Sequence, residues 1–255
     1  MTLKRPKLIY KYHKNNQHLL SLLIDGQLWF SHQNELNDPY DCKFALSDKF
    51  LISLLKESSD TLLKDLQEKI PNLNSINKDR FFDKILPILK SNKWMNEFYS
   101  NLFEKSGWSV CCFSASPLNE IMWAHYANNH KGVCLEFDLS KTPELYEKLQ
   151  PVTYEDTFPE IDTTDDLINA LLRKRTAWSQ EEEWRIITNV RGTKPFNKES
   201  LTAICFGCYA DRLFIENIIK TTKESGYEKI GFKQMNFRIK GITLKPLYNP
   251  KTLTP

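Results

Sequence analysis

The segment Glu181-Glu182-Glu183-Trp184-Arg185-Ile186-Ile187 sets acidic side chains and an arginine at the start of an apolar run. Alternate residues of an extended strand share a face, so Glu181, Glu183 and Arg185 are expected on one side and Trp184 and Ile186 on the other. Two carboxylates beside a guanidinium make either a solvated ion-pair cluster or a catalytic pair that the arginine keeps ionised. A second group, Trp123-Ala124-His125-Tyr126, places three ring systems within about one helical turn. On a helix Met122 and Tyr126 share a face, as do Asn119 and Trp123. Such a stripe either packs in a core or stacks a planar heterocycle. A third, Tyr10-Lys11-Tyr12-His13, ends a β-prone run on an imidazole. That imidazole is an ordinary turn histidine or a hydrogen-bonding group for a ligand near neutral pH.

Metal chemistry has weaker support. Cys205-Phe206-Gly207-Cys208 has the spacing of a metal knuckle, but the second pair that a zinc site needs is missing. The six cysteines include the adjacent Cys111-Cys112, a poor layout for a disulfide framework, so reduced, buried thiols are expected. His125, His130, Asp38 and Asp41 are a further conceivable metal set. The two histidines lie five residues apart, which on a helix turns them about 140° from one another. No metal is therefore expected.

These residues need elements to hold them. Leu8–Tyr12 reads as a strand, residues 16–25 as a helix and Gln27–Ser31 as a second strand, with Asp25-Gly26 as the turn. Asn37-Asp38-Pro39 is loop chemistry. From about 47 to 106, leucines at helical spacing (Leu51, Leu54, Leu55, Leu62, Leu63, Leu66) and an amphipathic stretch from Lys78 to Leu89 predict a helical insertion, with Pro71 and Pro87 as breaks. Ser109–Phe113 is a strand, and Ser116-Pro117 predicts a helix over about 117–129. Val133–Phe137 alternates as a strand after Lys131-Gly132. Thr164 is expected to cap a helix reaching about Ala177. Strands are predicted at Glu183–Val190 and Leu201–Phe206, a helix from Asp211 to near Gly226, and a strand pair within 235–247. Strands and helices mix without regular alternation, which gives an α+β fold in one domain over 1–255.

The 255 residues carry 41% hydrophobic and 12% aromatic side chains, enough for a large core, which excludes a disordered chain. A net charge of +3 lacks the basic excess of a typical nucleic-acid binder. No run approaches the roughly 18–20 apolar residues of a membrane span, and no signal-peptide core follows the basic N-terminus. A cytoplasmic protein without a membrane partner is expected.

The three groups acquire a common meaning through a resemblance. Ile9–His13 followed by Leu23–Ser31, Phe113-Ser114 with Tyr126 and Gly132-Val133-Cys134-Leu135, and Glu181–Ile186 resemble, in that order, the motifs of the His-Tyr-Glu branch of the ADP-ribosyltransferase superfamily. The resemblance implies a mixed, mostly antiparallel split sheet and NAD as substrate. It implies that Glu183 stabilises the oxocarbenium charge as the nicotinamide–ribose bond breaks, and that Glu181 orients the acceptor nucleophile. His13, with Tyr12 before it, would meet the adenosine-side ribose, and Ser114 the nicotinamide ribose. Tyr126, with Trp123 beside it, would stack on nicotinamide. The chain also resembles an uncharacterised, mainly bacterial family of unknown function through Tyr10–Tyr12, Trp29–Ser31, Asn37–Asp41, Cys112–Ser114, Met122–Tyr126 with Gly132, and Glu181–Arg185. That family is similar to abortive-infection proteins, which implies a phage-defence or toxin effector with an antitoxin or defence-system partner. The acceptor is protein, nucleic acid or water.

Two other classes stay open. Lys14 stands where the His-Tyr-Glu branch has glycine after the histidine, and with the helical insertion this fits a non-enzymatic nucleotide-binding sensor. The last is a metal-assisted hydrolase built on His125, His130, Asp38 and Asp41.

Overall fold

The computed structural model describes residues 4–57, 86–87, 90, 107–163, 166–238 and 241–247. Most of the predicted insertion, including Leu62, Leu63, Leu66, Pro71 and most of the Lys78–Leu89 stretch, lies outside the described residues, as does Thr164.

In chain order the elements are β1 (Ile9–His13), α1 (Gln17–Asp25), β2 (Gln27–Phe30), β3 (Ala45–Leu46), α2 (Asp48–Glu57), β4 (Ser109–Ser114), α3 (Glu120–Tyr126), β5 (Val133–Phe137) and α4 (Pro143–Tyr146). They continue with β6 (Leu149–Pro151), β7 (Thr153–Tyr154), β8 (Glu160–Ile161), α5 (Asp166–Leu171), β9 (Arg173–Lys174), β10 (Glu183–Thr188), β11 (Gly192–Pro195), β12 (Leu201–Phe206), α6 (Arg212–Glu224), β13 (Gly231–Arg238) and β14 (Gly241–Pro246). Eight strands form an open sheet in the order β14-β13-β12-β5-β1-β4-β10-β6. Only β12 and β13 run parallel in it; the other neighbours are antiparallel. The fold is thus mixed α+β on a mostly antiparallel open sheet.

Both faces of this sheet are covered. On one, Leu19, Leu22 and Leu23 of α1 and Phe214 and Ile218 of α6 pack with Phe113, Leu135, Phe137, Ile186 and Ile204. The apolar spacing of α1, with Asn16 as its N-cap and Gly26 in the left-handed region at its end, makes this a short amphipathic helix. On the other face, Met122, Trp123 and Ala127 pack on Tyr10, Tyr12, Cys134 and Cys205.

The centre of the sheet is where the site is built. Strand β1 pairs with β5 along its whole length, from Ile9 opposite Phe137 to His13 opposite Val133. With β4 it pairs at a single position, Tyr10 opposite Ser114. Lys11 reaches over to β4, its Nζ donating to the Cys112 carbonyl at 3.0 Å. Gly132 is required where β5 begins, because a Cβ there would stand 2.2 Å from the His13 carbonyl oxygen.

The largest differences from the sequence reading fall at three boundaries. The helix expected over 117–129 is only α3, capped by Asn119, whose Oδ1 accepts from the amides of Ile121 and Met122. Ser116 instead closes a turn onto the amide of Leu118. The helix expected to reach Ala177 stops at Leu171, and the chain then pairs as β9 with β7 before a 3-10 turn over Thr176–Glu181. The last strand pair starts earlier than expected, at Gly231, because β13 lies parallel to β12 from Ala203 onward.

Candidate functional site

Strand β10 lies against β4 with Glu183 opposite Ser114 and Arg185 opposite Cys112. The pleat puts Glu183 and Arg185 on one face, as the sequence suggests, and both are buried. Glu181 reaches them by a different route. It ends the 3-10 turn, and Glu182 takes a left-handed conformation at φ 46° that returns the chain into β10. The local geometry is a turn and not the continued strand expected from the sequence.

Arg185 is the hub. Its Nε donates to Glu183 Oε1 at 2.7 Å and its Nη2 to Glu183 Oε2 at 3.0 Å. Two further bonds, Nη1 to Asp41 Oδ1 at 2.8 Å and Nη2 to Asp41 Oδ2 at 2.7 Å, form a fork on a second carboxylate. Nη1 also donates to the Leu171 carbonyl at 2.8 Å. Lys174 completes the cluster, its Nζ lying 2.5 Å from Glu181 Oε2, 3.1 Å from Glu183 Oε2 and 3.7 Å from Asp41 Oδ2. All five charged groups are buried. In their ionised forms three carboxylates face two cations, so one negative charge is left over.

The charges fix one another. Burial alone would raise the Glu183 pKa, but Arg185 and Lys174 outweigh it and hold the carboxyl at about 2, below its ordinary 4.5. Burial would likewise lower the Lys174 pKa, and Glu183, Glu181 and Asp41 instead raise it above the ordinary lysine value. Tyr126 donates its hydroxyl to Glu181 Oε1 at 2.8 Å, and Tyr154 accepts from the Glu183 amide through its hydroxyl oxygen at 2.8 Å. Burial first, then the Glu181 charge, keep the Tyr126 phenol protonated.

A cavity of about 500 Å³ opens over this cluster, within the range of roughly 300–1,000 Å³ usual for ligand sites. Tyr12, His13, Tyr126, Glu181 and Glu183, five of the residues proposed from the sequence, lie on its wall, together with Asp41, Lys174 and Cys112. Burial, with Lys11 and His18 nearby, lowers the His13 pKa from 6.5 to about 3, so the ring is neutral at physiological pH. Burial, with Glu183 alongside, raises the Cys112 pKa well above its ordinary value, so its thiol is no thiolate nucleophile.

Ser114 and Trp123 are not on the cavity wall. The Ser114 hydroxyl donates to the Glu181 carbonyl at 2.8 Å, which positions Glu181 from behind. Trp123 is fully buried, with its indole N–H on the Pro117 carbonyl at 2.9 Å and its ring edge-on to Tyr12. Both act on the walls from within the core. Of the conceivable metal residues, Asp41 is engaged by Arg185, His125 is exposed against Trp178 and His130 packs on Tyr209. Among the described residues no group of three or more His, Cys, Asp or Glu is disposed to hold a metal ion.

Sequence reading missed Lys174 altogether and named Asp41 only in the conceivable metal set and in the Asn37–Asp41 motif, not as a partner of Arg185. The loop motif Asn37–Asp41 was the signal for Asp41: it delivers that carboxylate to Arg185 and the Asn37 side chain to the Tyr126 hydroxyl at 3.3 Å. Lys174 carries no local signal, being an ordinary lysine in a basic stretch.

With the site in view, its likeness to known proteins is limited to one stretch. The model of a family described as a protein of unknown function (DUF2971) matches residues 122–186, which takes in Tyr126, Lys174, Glu181, Glu183 and Arg185 but not His13 or Asp41. No curated protein and no solved structure matches the chain. Among the described residues no helix is long and apolar enough to cross a membrane.

Proposed function

We propose that the protein is an NAD-consuming enzyme of the ADP-ribosyltransferase type, an NAD glycohydrolase where water is the acceptor. The reading rests on one observation: His13, Tyr126, Glu181 and Glu183, from three distant segments, line a single cavity. Aromatic walls suit a planar ring, and the surplus negative charge at the floor suits a sugar that becomes cationic.

When the nicotinamide–ribose bond breaks, its electron pair leaves with nicotinamide and positive charge develops on the ribose ring. A fixed carboxylate favours that state over the ground state. At about 4 Å and an effective dielectric of 20, one such charge pair is worth on the order of 4 kcal/mol, about a thousandfold in rate. Glu183 takes this role. Glu181, tied to Tyr126 and Lys174, orients the incoming nucleophile, whose proton is lost as the new bond to the ribose forms. Tyr126 stacks on the nicotinamide, and neutral His13 meets the adenosine-side ribose. In a bacterial cell such turnover would serve a toxin or phage-defence effector acting with an antitoxin or defence-system partner.

The test is nicotinamide release by Glu183→Gln, which keeps shape and removes charge. Release is expected to fall about a thousandfold; release at the wild-type rate removes Glu183 from the mechanism. A second reading, a nucleotide-binding sensor without turnover, is favoured by the occupation of both Glu183 oxygens by Arg185 and Lys174. Titration calorimetry with NAD separates the two, since binding without nicotinamide release supports the sensor.

A further inference from the structure

Part of the exposed cavity lining is not used by the catalytic groups. The mouth is lined by Lys14, Asn16, His18 and Trp29, all exposed. On β2, Leu28 and Phe30 are fully buried while Trp29 between them is 43% exposed. The strand's alternation therefore turns the indole away from the core and onto the cavity wall. Among the described residues no ring or cation stacks on it. An open indole beside a cavity is a large, rigid surface that a ligand ring can cover.

The charges at the mouth complement those of the floor. Glu35 is the one carboxylate on this part of the wall, and it is ion-paired with Arg191. Lys14 is left without a carboxylate partner among the described residues, and the first turn of α1, which begins after Asn16, adds the positive end of a helix. The cavity is thus cationic and aromatic at its mouth, and anionic at its floor.

Resting on the reading of this cavity as a nucleotide site, we propose that Trp29 is the stacking platform for the purine end of the ligand, with Lys14 and His18 holding the adjoining phosphate. The substrate class this selects is an adenine nucleotide that enters sugar end first, its base remaining at the mouth. Ribose phosphates without a base would lose the indole contact.

The experiment is titration calorimetry on the full chain with ADP-ribose, and with ribose 5-phosphate as the ligand lacking a base. Trp29→Ala is expected to weaken ADP-ribose binding about tenfold or more and to leave ribose 5-phosphate unchanged. Trp29→Phe, which keeps an aromatic face, is expected to recover most of the loss. Lys14→Ala is expected to weaken both ligands. Circular dichroism checks that the variants fold; should Trp29→Ala fail to, Trp29→Leu, with apolar bulk and no aromatic face, takes its place with the same expected loss. Wild-type affinity for ADP-ribose in the folded variant overturns the proposal, and so does absence of ADP-ribose binding to the unaltered chain. Nicotinamide release separates this from the catalytic reading. Trp29-dependent binding without release leaves the platform standing and removes the enzyme. Release with an unchanged KM in Trp29→Ala does the opposite.

Discussion

Arg185 and Asp41 lie 144 positions apart in the chain and meet through two parallel hydrogen bonds of 2.8 and 2.7 Å. The pair ties the loop after β2 to β10, between β4 and the edge strand β6. It also uses up the guanidinium: with Glu183 on Nε and Nη2 and the Leu171 carbonyl on Nη1, all five N–H groups have a partner.

Lysine cannot replace that fork, since it offers three donors from a single point. Arg185→Lys is expected to leave at least one of Asp41, Glu183 and the Leu171 carbonyl unpaired in the interior. Breaking a buried charged network costs roughly 3–5 kcal/mol. A urea-unfolding midpoint close to the wild type's would show that the cluster is hydrated and not buried.

Lys174→Met changes the charge balance of the same cluster from one surplus negative charge to two. The expected relief is uptake of a proton by one of the three carboxylates, whose folded pKa then rises above its unfolded value. Stability from a raised pKa is present below the unfolded value and lost as pH climbs through the folded one. The variant's deficit against wild type should therefore be large at pH 7 and smaller near pH 4. Equal deficits at both values would mean that Lys174 contributes packing alone.

How much of this was legible in the sequence follows from how local each signal is. Strand β1, helix α1 and the same-face placement of Glu183 and Arg185 follow from periodicity and capping within a few residues. Tyr126 was found because aromatic residues at helical spacing mark one face. Ser114 and Trp123 belong to the same motifs yet lie in the core: Ser114 is covered where its hydroxyl bonds the Glu181 carbonyl, and Trp123 sits on the face of α3 that packs on Tyr10 and Tyr12. Lys174 was invisible: its partners lie at positions 41, 181 and 183, and only the folded chain reveals that a lysine after α5 meets three carboxylates. The early stop of α5 has the same origin, since pairing of β9 with β7 overrides helical propensity there.

His13 provides a pH test independent of the ion cluster. Burial, with Lys11 and His18 nearby, holds its pKa at about 3 against an ordinary 6.5. The unfolded chain takes up this proton first as pH falls, so the folded state loses stability from about pH 6.5 down to about 3. Glu183, held at about 2 against 4.5, adds a second loss at lower pH, from 4.5 to about 2. His13→Asn is expected to flatten the upper part of the profile and spare the lower. In the wild type, the His13 ring signals followed by NMR should not titrate between pH 8 and 5; a midpoint near 6.5 would show that the ring is hydrated where it lines the cavity.

Tyr126 separates stacking from orientation. Its ring lines the cavity, and its hydroxyl donates to Glu181 Oε1 at 2.8 Å, so two substitutions divide the roles. Tyr126→Phe keeps the ring and strips one bond from a buried carboxylate, a loss of roughly 1.5–3 kcal/mol for a hydrogen bond to a charged group. If Glu181 orients the nucleophile, kcat for nicotinamide release should fall about tenfold or more, while KM for NAD moves little, because the stacking surface remains. Tyr126→Ala should also raise KM, since the ring is gone. A Phe variant with unchanged kcat would show that the bond to Glu181 is structural only, and an Ala variant with unchanged KM would show that the nicotinamide does not rest on this ring.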